Sequence, residues 1–144
     1  MENLYPGSSS TKRKFDVEVI ELAGDGSSLR VNSLTVTGWE VDHASGAPPL
    51  ALQMRMGGRI FGYSGDTAWT PVLVDAARHT DVFACEAYTY DRAVPYHLDY
   101  PTLREHAGEL QTAHLVLTHM GPTMLERLDT ISHTTAYDGM TLTV

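Results

Sequence analysis

The rhythm of apolar residues changes once along this 144-residue chain, and that change restricts the fold more than any other feature. Before Asp66 the apolar positions alternate with polar ones, the period of strands that bury one face. Phe15, Val17 and Val19 alternate, and Leu29, Val31, Leu34 and Val36 follow a broken version of the same rhythm beyond a turn at Asp25 and Gly26, which reads as a hairpin. Leu50–Met56 and Arg59–Tyr63 flank Gly57 and Gly58, where glycine supplies the positive φ of a tight turn, and form a second hairpin. From Asp66 onward, helical segments separate short apolar runs. Thr70 stands as an N-cap with Pro71 at the first helical position, and Val72, Leu73, Ala76 and Ala77 carry a helix to about His79. Residues 82–84 form a short strand, Thr102 and Glu105 have capping-box spacing for a helix through about Leu110, and residues 114–118 form the next strand. Pro122 opens a helix to about Leu128, and residues 140–144 make a last short strand. Strands separated by helices require crossovers and a parallel portion of sheet, so the class is α+β with a mixed sheet.

Length and composition fit one domain, residues 15–144, after a polar and flexible segment, residues 1–14. No apolar run approaches the ~18 residues of a membrane span, and the first residues do not resemble a secretion signal, so a cytoplasmic location is expected. The single cysteine, Cys85, forms no internal disulfide and no Cys-pair zinc site, and among the core-type neighbours Val82, Phe83 and Ala84 it packs as a small apolar residue. The net charge of −8 argues against broad nucleic-acid binding, since Lys12, Arg13 and Lys14 are the one basic run.

Three chemistry-bearing residues fall just past predicted strand ends: Asp66 after residues 59–64, Glu86 after residues 82–84, and His119 after residues 115–117. Carboxyl ends of parallel strands form the usual ligand crevice, and neighbouring strands about 5 Å apart bring such side chains around one ion. An aspartate and a histidine suit zinc or manganese, and a bound divalent ion makes water a nucleophile near neutral pH. A serine-hydrolase elbow, a phosphate-binding glycine loop and a dinucleotide fingerprint do not occur.

The words Tyr63-Ser64-Gly65-Asp66-Thr67, Cys85-Glu86-Ala87-Tyr88 and Leu117-Thr118-His119, with His97 between the last two, resemble the C-terminal half of a metallo-β-lactamase-fold hydrolase. The ribonuclease Z and phosphodiesterase branch is the most similar in wording. The resemblance implies that Asp66 bridges two metal ions, that His119 ligates one of them, and that Glu86 with His97 serves as a catalytic proton relay. Cys85 and Tyr88 depart from that branch's HEAT wording, and only short hairpins stand where its tRNA-clamping arm would fall. A small phosphodiester or ester is therefore as good a substrate as RNA. The family's HxHxDH motif has no counterpart here, since no His-x-His occurs in the chain.

The expected fold is the C-terminal lobe of an αβ/βα sandwich, a mixed sheet with helices on one face. Its other face is left apolar, which calls for a complementing N-terminal half or a second copy of the chain. The expected function is metal-dependent hydrolysis using two zinc or manganese ions in the complete fold, with no membrane partner, with this chain's two ligands too few to hold metal tightly, and with the isolated chain inactive. The alternative is a truncated, non-catalytic lobe serving structure or assembly. His43, at the end of a strand, resembles a family histidine near the active-site edge but is read as a surface residue, and His79, His106, His114 and His133 as surface or packing residues.

Overall fold

The computed structural model describes residues 18–144 together with Gly7, Ser10, Lys12, Lys14 and Phe15. Among these, seven strands form one sheet in sequence order: β1 (Asp25–Val31), β2 (Leu34–Glu40), β3 (Leu50–Met56), β4 (Arg59–Tyr63), β5 (Thr80–Glu86), β6 (Thr112–Thr118) and β7 (Thr134–Thr135). Neighbours are antiparallel through β4 and parallel from β4 to β7. The change of rhythm at Asp66 thus marks the change from hairpins to crossovers. The helices are α1 (Val72–Ala77), α2 (Tyr100–His106) and α3 (Pro122–Leu125).

Strand alternation sorts the residues into two unlike faces. Ala51, Phe83, Cys85 and Leu117 point to one side and are fully buried with Leu73, Ala76 and Ala77 of α1 and Leu103 of α2. Gly62 belongs to this face because the space beside it is taken: a Cβ there would stand 2.5 Å from the Phe83 ring. The opposite face carries Val31, Met54, Met56 and Phe61, of which Val31, Met56 and Phe61 remain 42%, 58% and 40% exposed. The helices therefore cover one face and leave an apolar sheet surface on the other, as the α+β reading requires.

Local details differ from expectation for identifiable reasons. The first hairpin turns at Asn32 and Ser33, not at Asp25 and Gly26, because Asn32 adopts φ +55°, a left-handed conformation that asparagine tolerates. Val19 is not in a strand, and the Val17 part of the expected pairing lies outside the described residues. Helix α2 starts earlier than the Thr102–Glu105 spacing suggests: Asp99 is the N-cap, accepting from the Thr102 N–H at 2.9 Å, and Pro101 sits in the first turn. It ends at His106, short of Leu110, and α3 ends at Leu125, short of Leu128. Pro71, not Thr70, precedes the first residue of α1, without a side-chain cap, and α1 stops at Ala77, short of His79. The expected strand at residues 140–144 is absent; Thr134 and Thr135 supply the edge pairing on β6 instead.

Candidate metal centre

The Ser-Gly-Asp-Thr word after β4 is a clamp in which each residue has a separate task. Ser64, fully buried, donates its backbone N–H to the Ala84 carbonyl and accepts the Glu86 N–H on its hydroxyl at 2.9 Å, tying the ends of β4 and β5 together. Gly65 takes φ +66°, and a Cβ there would lie 2.8 Å from the Leu50 carbonyl oxygen, so only glycine makes this turn without strain. Thr67, also buried, donates its hydroxyl to the Ala68 carbonyl at 2.6 Å and accepts the Asp42 N–H at 3.1 Å. With both flanks fixed, the Asp66 carboxylate projects over the carboxyl ends of the parallel strands.

His119 follows β6 with φ +51°, a conformation that costs a non-glycine residue about 1 kcal/mol or more. That conformation brings its Nδ1 within 2.8 Å of Asp66 Oδ1. His97 arrives from the loop after β5, and Asp66, His97 and His119 offer one ligand atom each, all within 4.8 Å of one another. Glu86, the last residue of β5, stands behind them, fully buried. Its Oε1 lies 2.5 Å from His97 Nδ1, while Oε2 accepts the Thr67 N–H at 2.8 Å and the Leu98 N–H at 3.2 Å. Its buried charge is thereby shared among three donors. The contact assigns the His97 proton to Nδ1 and leaves Nε2 free, the arrangement by which a carboxylate orients a functional imidazole.

Tyr88 and His43 complete the surroundings. The Tyr88 ring lies 4.5 Å from that of His97 and 5.5 Å from that of His119, and Gly121 is needed beside it because a Cβ would approach the Tyr88 carbonyl oxygen to 2.8 Å. His43 is half-buried, its ring 5.2 Å from that of His97 and its Nδ1 3.0 Å from the Tyr96 carbonyl oxygen. The surface reading of His43 is therefore corrected: the hydrogen bond from Asp42 to Thr67 draws this segment over the site. Its resemblance to a family histidine near the active-site edge was the available signal. For Tyr63, partial burial, with the charges of Asp66 and Glu86 second, holds the phenol above its usual value, so it stays protonated.

Cys85 is fully buried, and burial pushes its thiol up to about 12, which removes it from nucleophilic or metal chemistry at neutral pH. His106 and His133 act in packing, His106 against the Trp69 ring and His133 against the Tyr100 hydroxyl at 3.1 Å. His79 and His114 are exposed away from the cluster. The donor set fits a divalent ion: one carboxylate and two imidazoles are borderline ligands suited to zinc or manganese.

This mixed sheet, with carboxylate and imidazole donors gathered at its parallel strand ends, belongs to a metallo-β-lactamase-type hydrolase fold. The chain is a member of the β-lactamase superfamily, whose domain model matches residues 2–120. It is 40% identical over 81 residues to the uncharacterized protein ML1173 of Mycobacterium leprae, an alignment covering 54% of this chain and 28% of that protein. Among solved structures, the metallo-β-lactamase fold protein YhfI of Bacillus subtilis superposes with a TM-score of 0.67 at 16% identity, over 93% of this chain and 58% of that one. A diphosphatase of the PhnP family gives 0.67 at 16% identity, over 99% and 53%, and the short form of human tRNase Z gives 0.61 at 19% identity, over 83% and 48%. The chain thus spans about half the length of these structures and under a third of the curated relative. Among the described residues, no helix is long and apolar enough to cross a membrane.

Proposed function

We propose that this chain carries the C-terminal part of a metal-dependent hydrolase site acting on a phosphodiester or related ester. The observation that supports the reading best is the contact of Asp66 with His119 at the strand ends, with the buried Glu86–His97 pair facing the same position. Asp66 and His119 hold the metal, zinc or manganese, and the complete fold holds two ions. When bound, such an ion supplies Lewis acidity and water acidic enough to attack near neutral pH. Glu86 holds the His97 proton on Nδ1 and stabilises the charged imidazolium, so that His97 protonates the leaving oxygen. The buried position of Glu86 keeps it a positioning residue rather than one that touches substrate.

The ligands beyond these come from a complementing N-terminal half seated on the uncovered sheet face, and the isolated chain is inactive without it. The PhnP-family diphosphatase and tRNase Z, as named, act on phosphate-containing substrates, which supports the choice of bond. Zinc titration of the wild-type chain beside Asp66→Ala, with oligomeric state recorded on the same sample, tests the reading. Weak zinc uptake that Asp66→Ala abolishes is the expected result, because this chain supplies too few ligands to hold zinc tightly. No zinc uptake by either sample at saturating zinc, or uptake that Asp66→Ala leaves unchanged, overturns it in favour of a non-catalytic structural lobe. The 4.8 Å clustering also favours a second reading, in which His97 is itself a ligand. Zinc affinity unchanged in His97→Ala supports the proton role, whereas a loss of tenfold or more supports the ligand role.

A further inference from the structure

An open pocket of about 620 Å³ adjoins the metal position, with His97 forming part of its wall. The remaining walls are mainly apolar, made by Ala68 and Trp69 together with Val94, Pro95 and Tyr96 of the loop that leads to His97. The Trp69 ring is braced from behind, stacked on His106 with centroids 4.1 Å apart and planes 10° from parallel, and His106 is held in turn by Glu109 at 2.6 Å. Tyr96 sits in a turn with φ +66° and is 47% exposed. A half-buried tryptophan held rigid by a histidine–glutamate pair offers a flat apolar surface at little further cost in side-chain entropy.

The charges on the pocket point the same way. No lysine or arginine lines it among the described residues. Of its two aspartates, Asp99 is occupied, accepting the Thr102 N–H and hydroxyl at 2.9 Å each, whereas the Asp42 carboxylate accepts no hydrogen bond from the described residues. Away from His97, a second phosphate placed here would meet a carboxylate and no lysine or arginine, in a chain of net charge −8. An uncharged ring bearing an O–H or N–H would meet aromatic and aliphatic walls and an acceptor.

We propose that this pocket selects the substrate, seating a neutral ring-bearing group on a monoanionic phosphodiester and excluding polyanionic RNA, with Trp69 as the specificity-determining wall. The inference rests on the metal reading above, since it places the phosphoryl group beside His97. It is tested on the full chain, with and without zinc, by following the indole N–H resonances of Trp69 and Trp39 as three probes are added. Trp39 lies on β2 in a separate pocket and serves as the internal reference.

Methyl phenyl phosphate is expected to shift Trp69 and not Trp39. Dimethyl phosphate, of equal charge but ringless, and a short oligoribonucleotide are expected to leave Trp69 unmoved. Trp69→Ala should weaken methyl phenyl phosphate at least fivefold with zinc content unchanged, and Tyr96→Gly, which removes the other aromatic ring of the wall and relieves the turn, gives a second variant if the first misfolds. Zinc binding without a ring-dependent Trp69 shift, or oligoribonucleotide binding as tight as the aryl diester, overturns the pocket assignment alone. A Trp69 shift with methyl phenyl phosphate in protein that takes up no zinc overturns the metal reading and leaves the ring pocket standing. Neither zinc nor a shift overturns both.

Discussion

Replacing Glu86 separates its hydrogen-bonding role from its charge. In Glu86→Ala the Thr67 and Leu98 N–H groups lose their acceptor, and both sit in buried surroundings. A buried donor left without a partner costs about 1–3 kcal/mol, so two cost about 2–6 kcal/mol, and the space vacated by the side chain adds to this. Glu86→Gln behaves differently. Both N–H groups bond to one oxygen, Oε2, which the amide carbonyl replaces, and the amide NH2 then faces His97, whose proton moves to Nε2 so that Nδ1 accepts from it. Removing a buried charge also relieves its desolvation, and the cost is about 1 kcal/mol or less. Against a typical total of about 5–15 kcal/mol, the alanine variant is severely weakened and the glutamine variant is not. Urea unfolding in chelator, followed by circular dichroism, checks this: with a slope of about 2 kcal/mol/M, a loss of 4 kcal/mol moves the midpoint by about 2 M. Equal destabilisation by the two variants, or an alanine variant within about 0.5 kcal/mol of wild type, would refute the assignment of Glu86 as the shared acceptor.

Two further outcomes follow from the same geometry. Gly65→Ala must place a Cβ at φ +66° and 2.8 Å from the Leu50 carbonyl oxygen, so it is expected to cost about 2 kcal/mol in chemical unfolding and to lower zinc affinity by displacing Asp66. Asp81 accepts the Ile60 N–H at 2.7 Å and a guanidinium hydrogen bond from Arg59 at 3.0 Å, and these, the backbone bond first, hold its carboxyl below the ordinary 3.8. Its contribution is therefore complete above pH 3.8 and disappears as pH falls through the lower folded value. The stability difference between wild type and Asp81→Asn, measured by thermal unfolding, should be largest near pH 6 and should shrink in acid.

Much of this site was legible because its residues lie next to strand ends that periodicity locates. Asp66 and His119 follow β4 and β6 so closely that finding the strands finds the residues. The Glu86–His97 pair spans eleven positions and could be paired only through a familiar word order, since no local pattern says that residue 97 folds back on residue 86. For His43 the surface reading was preferred to the site-edge one, because what brings it over His97 is a hydrogen bond between residues 42 and 67, which leaves no periodic trace. The hairpin at Asn32 and Ser33 was missed for a related reason: a left-handed asparagine makes the turn that glycine advertised at Gly26. Asp99 in front of Pro101 was a readable cap that the Thr102–Glu105 spacing outweighed. Helix ends set by tertiary packing, such as that of α3, carry little sequence signal.

Zinc K-edge X-ray absorption on the loaded chain tests most directly whether Asp66 and His119 hold the ion. The account predicts nitrogen and oxygen neighbours at about 2.0–2.2 Å, with an imidazole contribution that falls in His119→Ala. A sulfur neighbour at about 2.3 Å, or a spectrum unchanged by His119→Ala, would contradict it.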